Sequence, residues 1–250
     1  MLGDLRILET GPELLLDTER VTLQALFNLI RRFSIGYDLE LHKRTLERGL
    51  FSLIGPQSLE LAQAAELASS PEHTHEALEL AGVVVRAVRT DVGLDLLCEA
   101  GDSERLRRAL VDAGAAPVSE TTAECLRVER GRPRYGIDLD DGVIPQEAGL
   151  NERAVSFTKG CYVGQETVAR LHYRGKPNRH LRGLKLAACP STADAVSLED
   201  RQVGRVGSVA ASPRLGHIAL GLVRREVSPG QKVSVGPEAI EAEVVELPFA

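Results

Sequence analysis

The feature that most constrains this chain is a change of pattern near residues 173–179. From Leu181 onward the apolar residues fall in short runs, Leu181–Ala187, Val203–Ala211, Ile218–Val223, Lys232–Val235 and Ala239–Leu247, separated by turn-forming residues. Short strands at this regular spacing predict a small β-barrel. Upstream of the change, helical periods alternate with hairpins. The reading is therefore an α+β chain with a larger domain at 1–175 and a C-terminal β-barrel domain at 176–250.

Within the larger domain, Thr10-Gly11-Pro12 separates two apolar runs and predicts a hairpin over Leu5–Asp17. Asp17 or Thr18 caps a helix with Val21, Ala25, Leu26, Leu29, Ile30 and Phe33 on its apolar face. Strands are predicted over Asp38–Thr45 and Gly49–Ile54, with a helix opened by Gly55-Pro56. Ser69-Ser70-Pro71 begins a loop that holds His73 and His75. A second hairpin joins Val83–Arg89 to Gly93–Cys98. Asp102 or Ser103 starts a helix that Gly114 stops, and a further helix spans about Glu120–Glu129. Residues 131–158 carry Pro133, Gly136, Gly142, Pro145 and Gly149 and read as one long loop, a length usually kept for function.

A formal charge of −6 argues against general nucleic-acid binding. The charge is uneven: residues 1–172 balance to −9 and 173–250 to +3. Seven basic residues lie between Lys159 and Lys185 against one acid, Glu166. That patch fits a small anion, a local RNA contact or a solvated basic face. Cys98, Cys125, Cys161 and Cys189 are widely and irregularly spaced, which suits neither a zinc site nor a disulfide scaffold. The expectation is a chain of the reducing cytoplasm, with no metal site and no membrane partner.

The segment Thr158-Lys159-Gly160-Cys161-Tyr162-Val163-Gly164-Gln165-Glu166 stands apart. Glycines near the Cys let backbone approach a ligand closely. Gln165 onward reads as a helix, which puts Cys161 on a loop just before a helix N-terminus. The helix dipole and Lys159 both favour negative charge there. The competing reading is a small buried hydrophobe. Cys98 on a strand and Cys125 on a helix face are read as core, and Cys189 beside Pro190 as incidental. His73 and His75, two apart in a loop, carry no metal expectation.

The string Lys159-Gly160-Cys161-Tyr162-Val163-Gly164-Gln165-Glu166, with Arg170 beyond it, resembles the signature of the YgfZ family. Leu126 to Pro133, Gly136 to Leu150 with Pro145-Gln146-Glu147, and the barrel segment with Gly204, Val206, Ser208 and Gly216 to Val223 extend the resemblance. It implies a folate-binding fold shared with the aminomethyltransferases. It also implies tetrahydrofolate or a derivative as cofactor, and a role in iron–sulfur cluster assembly or repair that includes a tRNA-modification step. The implied partners are reduced folate, iron–sulfur client enzymes and tRNA-modifying enzymes, with no DNA.

By the same resemblance Cys161 and Lys159 are the catalytic candidates. Glu129 matches a glutamate that contacts the pterin in the T-protein relatives. Asp4 falls where those relatives keep a catalytic aspartate, one that many YgfZ-type proteins lack. Glu129, Tyr162, Arg170 and Asp4 are the cofactor-binding candidates. The family's N-terminal portion has no counterpart before Met1, so the folate-binding domain is expected to lack its first strands. Two alternatives stand beside the accessory-factor reading. One is a tetrahydrofolate-dependent aminomethyltransferase, against which the Cys-containing loop argues because T proteins lack that Cys. The other is a non-enzymatic RNA-binding or scaffold module using residues 159–185.

Overall fold

A computed structural model describes residues 1–249. In chain order the elements are β1 (Leu5–Glu9), β2 (Leu14–Thr18), α1 (Leu23–Phe33), β3 (Arg48–Ile54), α2 (Ser58–Leu61), β4 (His75–Leu80), β5 (Val83–Arg89), β6 (Gly93–Glu99), α3 (Ser103–Asp112), α4 (Glu120–Glu129), α5 (Asn151–Ala154), α6 (Gln165–Arg174), β7 (Arg179–Leu186), β8 (Ala195–Leu198), β9 (Arg201–Ser212), β10 (Gly216–Arg224), β11 (Lys232–Val235) and β12 (Ile240–Val245). They make the expected α+β chain ending in a barrel. The chain forms two compact units, one of residues 1–5, 18–30 and 119–250, the other of 6–17 and 31–118. Residues 119–175, assigned from the sequence to the larger domain, thus share a unit with the barrel.

The second unit is built on an antiparallel sheet in the order β3-β6-β5-β4. Alternation along its strands puts Leu53, Val83, Val85, Ala87, Leu94, Leu96 and Cys98 on one face, packed with Leu106 and Leu110 of α3. Cys98 is core, as the sequence suggested. The β4–β5 hairpin turns on Ala81 (φ 49°) and Gly82 (φ 73°), the left-handed pair that a two-residue turn between twisted strands requires. Two local expectations change here. His75 opens β4 instead of lying in a loop, with Nδ1 3.0 Å from Arg86 Nη1. Residues 38–44, predicted as a strand, form none. Their alternation of Leu39 and Leu41 with acids is real, but a strand needs a neighbour to pair with, and β3 beside them pairs only with β6.

The barrel closes as β10-β7-β12-β11-β8-β9. It has one strand more than the sequence suggested, the short β8. Inside lie Leu184, Val196, Val206, Ala219, Val223, Val235 and Val244. Strand β10 is buried from Ile218 to Val223 on both faces. Ala219 and Val223 fill the barrel. Ile218 and Leu220 point outward against Val128 of α4. Leu222 packs on Leu139, Val143 and Leu150. A continuous apolar run is what a strand covered on both sides demands. This outer cover is the physical reason residues 119–150 belong with the barrel.

Candidate functional site

The Cys161 loop forms as the sequence implied. Helix α6 starts at Gln165, and Gly164 before it takes a left-handed φ of 89° that a side chain would resist. Gln165 Oε1 accepts the Tyr162 amide at 3.2 Å while Tyr162 O accepts the Gln165 amide at 3.2 Å, a reciprocal pair that closes residues 162–165 into a turn. Ser156 Oγ accepts the Lys159 amide at 3.2 Å. Gly160 has open space where a Cβ would sit. Cys161 is exposed, so the reading of this thiol as a buried hydrophobe does not hold. Val168 anchors the opposite side of α6 in the interior.

The structure brings together some of the candidates and separates others. Lys159 Nζ lies 4.9 Å from the centre of the Tyr162 ring, so its charge is received by an aromatic face. Arg170 is exposed on α6 and makes no ion pair among the described residues. Asp4 is exposed, and its backbone carbonyl accepts the Thr18 hydroxyl. Glu129 sits at the end of α4 with its side chain 17% exposed. Its Oε1 accepts Ser212 Oγ and the Cys125 thiol, and Oε2 lies 3.7 Å from Arg214 Nη2. Among the described residues, no hydrogen bond or ion pair ties Asp4 or Glu129 to the Cys161 loop. Cys125, expected in the core, is half-buried; burial first, then the adjacent Glu129 carboxylate, pushes its thiol up.

Sequence reasoning missed the groups that hold the long 131–150 loop. Asp138 is 2% exposed. Its Oδ1 accepts the Ser208 amide at 2.7 Å. Its Oδ2 accepts the Ser208 hydroxyl at 2.8 Å, the Arg134 amide at 2.8 Å and Arg127 Nη1 at 3.2 Å. A Cβ at Gly207 would stand 2.2 Å from Oδ1, so the glycine makes room for this carboxylate. Nearby, Glu147 receives Arg179 through Nε at 2.9 Å and Nη2 at 2.7 Å, a fork matched to a carboxylate. Gln146 donates from Nε2 to the Val168 carbonyl at 2.9 Å, fastening α6 to this loop. The only local signal was an acid between apolar neighbours in a Gly- and Pro-rich stretch. Its partner Ser208 lies 70 residues away, beyond any local pattern.

Two open clefts are lined wholly by the second unit. One, of about 490 Å³, runs along Ala81, Glu104, Arg105, Arg108, Ala109 and Asp112. The other, of about 430 Å³, is bounded by Gln57, Glu60, Leu61, Gln63, Ala113 and Gly114. Neither includes a residue of the Cys161 loop. Among the described residues no group of three or more His, Cys, Asp or Glu is placed to hold a metal ion, and no helix is long and apolar enough to cross a membrane.

Comparison with known proteins bears on both ends of the chain. Residues 179–250 match the glycine cleavage T-protein C-terminal barrel domain. A chloroplastic "putative transferase" of Arabidopsis thaliana is 29% identical over 94% of this chain and 56% of its own length. The aminomethyltransferase of Rubrobacter xylanophilus is 29% identical over 88% of this chain and 61% of its own length. That of Halothermothrix orenii is 31% identical over 80% of this chain and 60% of its own length. The chain therefore spans about three-fifths of the curated relatives it matches. With the closed six-stranded barrel at its end, the chain has a glycine-cleavage T-protein-like fold and is similar in sequence to aminomethyltransferases.

Proposed function

We propose that this protein is a tetrahydrofolate-binding accessory factor of the YgfZ type, supporting iron–sulfur cluster assembly or repair and iron–sulfur-dependent tRNA modification. The observation that carries the reading is the exposed Cys161 thiol on a glycine-flanked loop at the start of α6. The relatives named aminomethyltransferase support the choice of tetrahydrofolate as cofactor. When bound, a reduced folate supplies a one-carbon unit.

The chain's own residues divide the work as follows. Cys161 offers the reactive sulfur, with no side chain among the described residues hydrogen-bonded to it. Lys159 and Tyr162, already stacked, present a cation and a flat ring beside it. Arg170 attracts the carboxylate tail of the folate. Glu129 holds Ser212 through Oε1 and straps α4 to β9, and the remaining acceptor sites of its carboxylate can meet a pterin edge; Asp4 offers an exposed carboxylate.

The test pairs tetrahydrofolate titration of the purified chain with complementation of a strain deleted for the gene. The expected result is saturable binding, and loss of iron–sulfur enzyme activity when Cys161→Ala replaces the wild type. Full rescue by Cys161→Ala would remove the thiol from the mechanism. A second reading, the aminomethyltransferase proper, is favoured by the names of the bacterial relatives. It requires ammonia release from an aminomethyl-lipoyl carrier protein, and that release by the purified chain would displace the accessory role.

A further inference from the structure

Helix α6 carries a surface of which the folate reading uses Arg170 alone. Its outer face bears Arg170 and Arg174, like charges at i and i+4, which repel and destabilise a helix unless something neutralises them. Lys176 follows at once. Arg170, Arg174 and Lys176 are all exposed and make no ion pair among the described residues, whereas Arg179 and Arg182 further along are paired to Glu147 and Glu246. Glu166 is the one acid on the helix, a full turn before Arg170. Here the basic patch divides: Arg179 and Arg182 are spent on ion pairs, while Arg170, Arg174 and Lys176 have none among the described residues.

Between these charges stands a set of flat rings. Phe157 and His172 stack with centroids 3.8 Å apart. Tyr173 meets His172 at 4.8 Å and 78° and Phe157 at 6.4 Å and 67°. The stack holds Tyr173 in place, yet its ring remains 69% exposed. A braced, open aromatic ring between unpaired cations is the arrangement that binds a single-stranded nucleic acid: cations take the phosphates while a base stacks on the ring. A membrane surface is a poorer fit, because Val163 is the one large exposed aliphatic side chain in this region and Thr167 and Glu166 occupy the same helix.

We infer that Tyr173, Arg170, Arg174 and Lys176 form a binding surface for single-stranded RNA, the ring stacking on a base and the cations contacting the phosphates on either side of it. The inference shares Arg170 with the folate proposal but needs neither Cys161 nor a bound cofactor.

The experiment measures fluorescence anisotropy of a labelled 12-nucleotide RNA of unpaired sequence with the purified chain at several salt concentrations. Three phosphate contacts give a slope of log affinity against log salt of about −2. Arg174→Glu with Lys176→Glu is expected to weaken binding at least tenfold and to flatten the slope. Tyr173→Ala is expected to weaken it about tenfold with the slope unchanged, since a stacked base contributes about 1–3 kcal/mol. Cys161→Ala is expected to bind RNA as the wild type does, so loss of the thiol function and loss of RNA binding are separable. Circular dichroism of each variant checks that α6 and the barrel remain folded. The inference is overturned if no salt-dependent binding occurs, if base-free polyphosphate binds as tightly and Tyr173→Ala changes nothing, or if anionic vesicles compete while RNA does not.

Discussion

Two neighbouring stretches, residues 131–150 and 155–164, make opposite use of the same kinds of side chain. In the first, Asp138 and Glu147 are buried and fully engaged with Ser208, Arg134, Arg127 and Arg179. In the second, Lys159, Cys161 and Gly164 are exposed, and the ion-pairing capacity of Lys159 is left to an aromatic ring. Both stretches look alike in sequence: polar, rich in Gly, without regular structure. The difference teaches that a long loop can be either a strap or a working surface, and that the fate of its charges tells which. Buried charge that is paired serves to hold; exposed charge that is unpaired is free to bind.

The sharpest way to break this comparison is Asp138→Ala. It leaves the Ser208 and Arg134 amides without their acceptor, while Arg127 keeps its pair with Glu124. Each buried donor left unsatisfied costs about 1–3 kcal/mol. Urea denaturation measures it, and a loss under about 1 kcal/mol would mean that the strap is not holding the loop to the barrel. A smaller effect separates the working loop. Gly164→Ala forces a Cβ into the left-handed backbone at φ 89° and should cost about 1 kcal/mol, read as a modest fall in melting temperature. If the cost matched that of Asp138→Ala, the loop would be as structural as the strap.

The smallest expected contrast is with pH. Burial first, then Arg182, lowers His180 on β7 below the ordinary histidine value. A folded pKa below the unfolded one means that the fold holds the neutral ring. Its contribution is then present above pH of about 6.5 and is lost as the pH falls through that value towards the lowered one. Acidification from pH 7.5 to 5.5 should therefore destabilise the wild type slightly more than His180→Gln, by chemical denaturation at each pH. Cys161→Ala should leave the slope as it was. An equal slope in wild type and His180→Gln would show that the acid sensitivity comes from elsewhere.

Much of the architecture was legible locally. Ser119 and Glu129 bound α4 where the helical period predicted, with Ser119 Oγ accepting the Thr122 amide at 3.2 Å. Gly114 stops α3 with φ 107°. The hairpin at Thr10–Pro12 forms. Errors came where a pattern depends on a partner. Residues 38–44 alternate like a strand and find no strand to pair with. Val21 and Phe33, placed on the apolar face of α1, are exposed at 66% and 59%, since an amphipathic stripe does not itself say how much of it will be covered. Asp17, read with Thr18 as one of two candidate helix caps, pairs with Arg6.

The candidate site divides in the same way. That Cys161 lies on a glycine-flanked loop before a helix was set by the sequence itself, because glycine, capping and helical period act over a few residues. That Lys159 rests on Tyr162, that Glu129 is bound to Ser212, and that Arg170, Arg174 and Lys176 stay unneutralised while Arg179 and Arg182 do not, only the tertiary structure decided. The reason is physical: backbone conformation is governed by neighbours along the chain, whereas the partner of a charge is whichever group the fold brings within about 3 Å, at any separation in sequence.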